Sequence, residues 1–358
     1  MALAFLSFRY IIIYPIGLEK RKPPKSPLDI FRRARYAPIK QSNDRSRHDG
    51  SHFDSVMNPR RLDFVIDRQW AGRPVHDLLR RKLGLSGTLL RRIKWLEDGI
   101  LLDGQRVHTR VIVREGQTLS VRLSDPTVKS GIPPVSLPLD VVYEDRDIAV
   151  VNKAPGMPSH PGPGHWQDSL GNALMSHWQE TDPDADFHPV HRLDKGTSGL
   201  MVVAKHPFAQ EELRKALHSG RFRRQYLAIC EGVLSPGQGV IDLAIGRCPD
   251  SILKRQVSED GQRAVTRYTV LKTDGSRSLA ALTLETGRTH QIRVHLSHLG
   301  HPLTGDFLYG TEDHRLISRP ALHSWKLDLH HPVTGVPLSF TQAMPEDMMQ
   351  LMHAFLSN

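Results

Sequence analysis

The chain has 358 residues, with 48 Lys+Arg against 38 Asp+Glu and a formal net charge of +10. A hydrophobic share of 39% is enough to build a core and excludes wholesale disorder. Two cysteines, Cys230 and Cys248, exclude a disulfide framework and a clustered-cysteine zinc site, and they fit a reducing, cytosolic setting.

The positive charge is not spread evenly. Residues 1–57 carry net +6, residues 58–123 net +7, and the remaining chain net −3. The apolar start, Ala2 to Leu18, is broken by Arg9 and Pro15 and falls short of the roughly 20 apolar residues of a membrane-spanning helix. Residues 19–55 are basic, Pro/Ser-rich and without periodicity. Residues 1–57 therefore read either as a disordered basic tail or as sequence upstream of a true start at Met57.

Residues 58–123 read as a small αβ module. Val75, Leu78, Leu79 and Leu83 recur at helical spacing after Pro74. Ser86 is a cap for a second helix carrying Leu89, Leu90, Ile93 and Leu96, which Gly99 ends. A strand, an Asp103-Gly104 turn and a strand follow, and Thr118–Leu123 alternates as another strand. Arg80, Arg81, Lys82, Arg91, Arg92 and Lys94 concentrate on the two helices, a distribution suited to phosphate contacts. Residues 124–138 form a Pro/Ser linker.

From residue 139 strands dominate, separated by irregular loops and a few helices. The pattern predicts an α+β domain on a mixed, mainly antiparallel sheet. Strands are expected at Leu139–Tyr143, Ile148–Asn152, Leu200–Lys205, Phe222–Glu231, Ala264–Lys272, Leu279–Thr286 and Leu322–Leu329. Helices are expected from Asp168 to about Trp178, from Pro207 to about Ser219, and from a Thr289 cap to Gly300. In His188-Pro-Val-His191-Arg192-Leu193-Asp194-Lys195-Gly-Thr-Ser-Gly199, a charged cluster precedes an apolar strand. That puts Asp194 at a strand edge facing a cleft. In Glu285-Thr-Gly287-Arg288-Thr-His290-Gln-Ile-Arg293, a strand ends and a helix starts, which places Arg288 at a helix N-terminus. A carboxylate brought beside Arg288 would stay ionised.

These two stretches resemble the RluA-type family of RNA pseudouridine synthases. The family's HRLD box is matched by His191–Asp194, and its K-x-T-S-G run by Lys195–Gly199. The Gly287–Arg293 run continues through His301-Pro302, Gly305-Asp306 and Tyr309-Gly310. Upstream, Tyr143-Glu-Asp145, Val151–Gly156 and His160-Pro161 also fit, so the likeness spans about 139–345 in consistent order. The module at 58–123 resembles an S4-type RNA-binding module through Leu85-Ser86, Leu89–Arg91, Ile93, Gly99 and Asp103-Gly104.

The resemblance implies isomerisation of uridine in RNA: the base is detached from its ribose, turned and rejoined through carbon, with no cofactor or metal. It implies that Asp194 is the catalytic aspartate and Arg288 its ionic partner. Tyr226 would be the active-site tyrosine, stacking on the base, and Arg192 would fill the gap left by the flipped uridine. Arg80, Arg81, Arg91, Arg92 and Lys94 are the expected phosphate contacts of the module. The implied partner is structured RNA, ribosomal in preference to transfer RNA, bound by a cytoplasmic monomer.

Two other classes compete with this one. Sixteen of the 20 histidines follow residue 123, and His188, His191 and Asp194 mimic a metal triplet. Pro189 breaks the helix face that such a triplet needs, so a metallohydrolase is disfavoured. A binding-only S4-type protein is disfavoured because Asp194, Tyr226 and Arg288 are all retained.

Overall fold

The computed structural model describes residues 59–356. The stretch 1–57 lies outside the described residues.

The first unit is a four-stranded antiparallel sheet with short helical segments against it. Its strands β1 (Arg61–Val65), β2 (Ile100–Leu102), β3 (Gln105–Arg106) and β4 (Thr118–Arg122) lie in the order β1-β4-β2-β3. Helix α1 (Val75–Asp77) runs directly into a π-helical turn, Leu78–Lys82. Helix α2 (Gly87–Ile93) starts at Ser86, whose hydroxyl accepts from the Leu89 N–H at 3.2 Å. That bond satisfies one of the donors a helix start leaves open. Val75, Leu78, Leu79, Leu89, Leu90 and Ile93 face the sheet and are buried.

The second unit is built on a ten-stranded sheet. Its strands are β5 (Val141–Glu144), β6 (Ile148–Lys153), β7 (His188–Pro189), β8 (Ser198–Ala204), β9 (Arg223–Glu231), β10 (Gln238–Asp242), β13 (Val265–Thr273), β14 (Arg277–Leu284), β15 (Leu322–His330) and β16 (Pro337–Thr341). The path runs β10-β13-β14-β9-β15-β8-β6-β5, with β16 on β15 and β7 on β8. The β15–β8 pair is parallel and the others are antiparallel. A separate hairpin pairs β11 (Ile245–Arg247) with β12 (Arg255–Val257).

Both faces of the central strands are covered. In β8, Met201 and Val203 join the core that includes Leu170, Leu174 and Trp178 of helix α3 (Leu170–Thr181). Leu200, Val202 and Ala204 point the other way, onto Ala209, Leu213 and Ala216 of helix α4 (Pro207–His218). This is why β8 reads as an unbroken apolar run rather than an alternating one. Gly199 allows the parallel pairing: its φ is +107°, and a Cβ there would lie 2.2 Å from the Ser324 carbonyl oxygen. Helix α5 (Gln291–His298) packs on β12 and β13, and α6 (Glu346–Leu356) ends the described chain.

The two units share a core. Phe208 of α4 is buried within the apolar cluster of the first unit, and Val333 packs on it. Arg60 donates to both carboxylate oxygens of Asp147, at 2.6 and 2.8 Å. The stretch expected as a Pro/Ser linker is held against the second unit. Ser130 hydrogen-bonds Asp186 through its N–H and its hydroxyl, Val135 N–H donates to Asn172, and Ile132 is buried in the main core. Among the described residues no helix is long and apolar enough to cross a membrane.

Candidate active site

The loop between β7 and β8 carries the His191–Asp194 box. Leu193 is buried and acts as its anchor, so the residues on either side turn outward: Arg192 is exposed and Asp194 half-buried. Ser159 clips the anchor from both sides, donating to the Leu193 carbonyl at 2.7 Å and accepting from its N–H at 3.1 Å. Thr197 N–H closes a turn onto the Asp194 carbonyl at 3.0 Å. The Asp194 carboxylate is thereby fixed in the wall of a cleft of about 1520 Å³, together with Arg192, Lys195, Tyr226, Arg288 and Arg293.

The cation facing Asp194 is Arg293, whose Nη1 lies 3.7 Å from Asp194 Oδ2. This corrects the expectation for Arg288. Among the described residues, the ion pair of Asp194 is with Arg293, and the His290 ring approaches its other oxygen. Arg288 lines another part of the cleft, is exposed, and donates its Nε to the Arg263 carbonyl at 3.0 Å. The reason is the start of α5. Thr289 does not cap it; His290 occupies the cap position in a left-handed conformation (φ 58°, ψ 20°) and the helix begins at Gln291. Gln291 ties the preceding loop to the helix start, accepting from the Thr286 hydroxyl and the Arg288 N–H. The helix then turns Arg293 toward Asp194.

Arg293 is locked in place. Its Nε and Nη2 each donate to Asp306 at 2.7 Å, and its guanidinium lies 5.0 Å from the Tyr309 ring centroid. Burial pulls its pKa down, but the Asp306 hydrogen bonds and the charges of Asp306 and Asp194 outweigh that, and the net shift is upward. It is a permanent positive charge. The signal for it in the sequence was a lone Arg among apolar helix residues, with a second acid, Asp306, downstream.

His290 sits on the other side of the carboxylate, its Nε2 4.0 Å from Asp194 Oδ1. Its Nδ1 is 2.8 Å from the Tyr309 hydroxyl, which accepts from the Arg255 N–H at 2.8 Å. Burial lowers the pKa of His290 despite the opposing charge of Asp194, so the ring is neutral at pH 7. With the Tyr309 hydrogen directed to Nδ1, the ring presents an Nε2–H toward Asp194.

Tyr226 lies in β9, paired with Leu282 and Ser324 on the neighbouring strands, and is almost fully buried at the cleft wall. Burial raises its pKa, with Asp194 adding to the rise and Arg224 and Ser324 opposing it, so its hydroxyl keeps its proton. Lys153 was not singled out from the sequence. It is buried behind the Asp194 loop, donates to the carbonyls of Ala154 and Met157 at 2.8 Å, and has a pKa lowered to about 7, chiefly by burial.

Several histidines are structural. His191 accepts the Val202 N–H on Nε2, and burial lowers its pKa to about 3. Among the described residues, the acid and histidine cluster with chelating spacing is Asp145, Asp147 and His331. Arg60 and His206 already occupy the Asp147 carboxylate, which lies outside the cleft lining.

The module cations Arg80, Arg81, Arg91, Arg92 and Lys94 are all exposed. Arg80 hydrogen-bonds the Leu85 carbonyl, Arg81 approaches Asp77 at 3.9 Å, and Lys94 lies over the Trp95 ring at 4.8 Å. None of them lines the cleft.

Residues 147–298 match the family model described as RNA pseudouridylate synthase. The uncharacterized RNA pseudouridine synthase YjbO of Bacillus subtilis is 42% identical over 270 residues, covering 75% of this chain and 95% of that protein. The chain belongs to the RNA pseudouridine synthase family. This synthase is also 38% identical to the ribosomal large subunit pseudouridine synthase D of Xylella fastidiosa, over 74% of this chain and 83% of that protein. Among solved structures, Human RNA Pseudouridylate Synthase Domain Containing 4 aligns with a TM-score of 0.50 and 25% identity, covering 61% of this chain and 93% of that one. The synthase is an isomerase acting on RNA.

Proposed function

We propose that this synthase converts uridines of large-subunit ribosomal RNA to pseudouridine in the cytoplasm, with Asp194 as the catalytic carboxylate. The observation that carries the site assignment is Asp194 itself, held in the cleft wall by its loop with a locked guanidinium 3.7 Å away and Tyr226 in the same wall. Asp194 acts at the sugar as the glycosidic bond breaks. Arg293 holds a fixed charge beside it, so little reorganisation is needed as charge moves during the reaction. Tyr226 supports the detached base as it turns, and its protonated hydroxyl borders the carbon that loses a proton. Arg192, exposed at the cleft wall, takes the place of the flipped base.

The ribosomal substrate is supported by the likeness to the large-subunit synthases. The exposed basic surface of the module supports its S4-like role in gripping RNA. The test is a pseudouridine map of RNA from a host lacking the gene. One or more uridines in large-subunit RNA should remain unmodified, be restored by the intact gene, and stay unmodified with Asp194→Asn. A missing site in transfer RNA would reassign the substrate. An active Asp194→Asn protein would overturn the role of the carboxylate.

A further inference from the structure

The β11–β12 hairpin projects two apolar side chains into water beside the cleft. Ile252 is 92% exposed and Leu253 66% exposed, and Leu253 lines the cleft that holds Asp194. One exposed aliphatic side chain is ordinary on a protein surface, but here two adjoin at the mouth of a cleft. The tip is nonetheless held in one shape. The Ser251 hydroxyl accepts from the N–H groups of Leu253 and Lys254, and Cys248 N–H donates to the Lys254 carbonyl. The base of the hairpin is fixed too: Ile245 packs with Ala264 and Val294, and the Arg255 N–H reaches Tyr309. A hydrogen-bonded hairpin thus presents a small apolar point at the mouth of a polar cleft. Around that point Arg247, Lys254 and Arg255 stand against a single acid, Asp250.

We propose that Ile252 and Leu253 form an apolar wedge that presses into the base step next to the target uridine as it leaves the helix. The occupant is stacked RNA. The flanking cations suit phosphates, and aliphatic side chains inserted between bases weaken stacking without reading sequence. Flipping a stacked base costs free energy that an unstacked one does not, so the wedge acts where stacking must be broken. The proposal rests on the Asp194 cleft being the place where the uridine is turned.

The experiment uses the full-length protein and two transcripts of the uridine that the map identifies. In one the uridine is paired within a helix, and in the other it lies in an open single strand. Pseudouridine formation by Ile252→Ser/Leu253→Ser should fall at least tenfold on the helical transcript and less than twofold on the single strand. Ile252→Leu/Leu253→Met should stay within twofold of the intact protein on both. In an Asp194→Asn background, 2-aminopurine beside the target should brighten on binding, and much less so with the serine pair. Equal losses on the two transcripts, or no loss on the helical one, would overturn the wedge. Activity surviving Asp194→Asn with an unchanged wedge effect would instead overturn the role of the carboxylate alone.

Discussion

Arg293 shows how one helix start decides which of two arginines serves a site. Successive residues of a helix point about 100° apart, so the position of the first helical residue sets which side chain meets a fixed neighbour. A Thr289 cap would begin the helix one residue early, but the left-handed His290 delays it to Gln291 and brings Arg293 to Asp194. A fixed expectation follows for the pair. Arg293→Met leaves Asp306 buried and unpaired, and should cost about 3–5 kcal/mol in denaturant unfolding along with nearly all activity. Arg288→Ala removes an exposed side chain bonded to one carbonyl, and its unfolding midpoint should stay close to that of the intact protein. A loss of activity in Arg288→Ala as deep as in Arg293→Met, with that midpoint unchanged, would mean that Arg288 closes on the carboxylate when RNA binds. The motif was legible in the sequence, and Asp194, Tyr226 and Arg192 do line one cleft. The division of labour between Arg288 and Arg293 was not legible, because it depends on a backbone dihedral at His290.

At the scale of elements, the strands with unbroken apolar runs and the helix with Pro207 at its start and Gly220 beyond its end were readable to within a residue or two. The expected strand Leu200–Lys205 is β8, Ser198–Ala204, and the expected helix from Pro207 is α4, Pro207–His218. Short pairings such as β11 with β12 were not readable, because three-residue strands leave too little periodicity. The parallel union of β8 and β15 was also hidden, since it joins residues far apart in the chain. It hangs on Gly199, where a methyl group would strike the Ser324 carbonyl in a backbone conformation that L-residues avoid. Gly199→Ala should therefore destabilise the protein by on the order of 3 kcal/mol or more. It should also lower activity by displacing the Asp194 loop that leads into β8. Thermal unfolding and turnover measured on the same preparation test both effects. An unchanged melting temperature would mean that the pair can part without cost.

For the whole molecule, pH and salt separate folding from RNA binding. Burial lowers the pKa of His188 and His323 to about 4 and of His191 to about 3, and lowers that of His206 as well. Above about pH 6.5, the ordinary histidine value, neither folded nor unfolded chain binds these protons. As pH falls below that, the unfolded chain takes them while the folded chain resists until about 3–4, so stability drops across that window. Unfolding measured at about pH 7 and about pH 5 should show a clear decline, and a flat profile would contradict the burial of these rings. Salt reports on the module. Arg91→Glu/Arg92→Glu should reduce the slope of log affinity against log salt by about 0.9 for each phosphate left without its cation, with single-turnover chemistry at saturating RNA little changed. Charge reversal is a cleaner test than deleting residues 58–123, because removal would strip Phe208 of its surroundings. The charge split along the chain was visible in the sequence; the shared core was not.

That shared core has a geometric consequence. Phe208 is rooted in the helix after β8 and buried in the neighbouring unit, while Arg60 grips Asp147 with two hydrogen bonds. The basic face and the cleft are therefore set at a constant span and bearing, like the jaws of a fixed gauge. If the module grips RNA as proposed, an RNA held on Arg91 and Arg92 would offer the cleft only those uridines that its own fold carries to that span. Selection among many chemically identical uridines would then be a matter of measurement rather than of base reading.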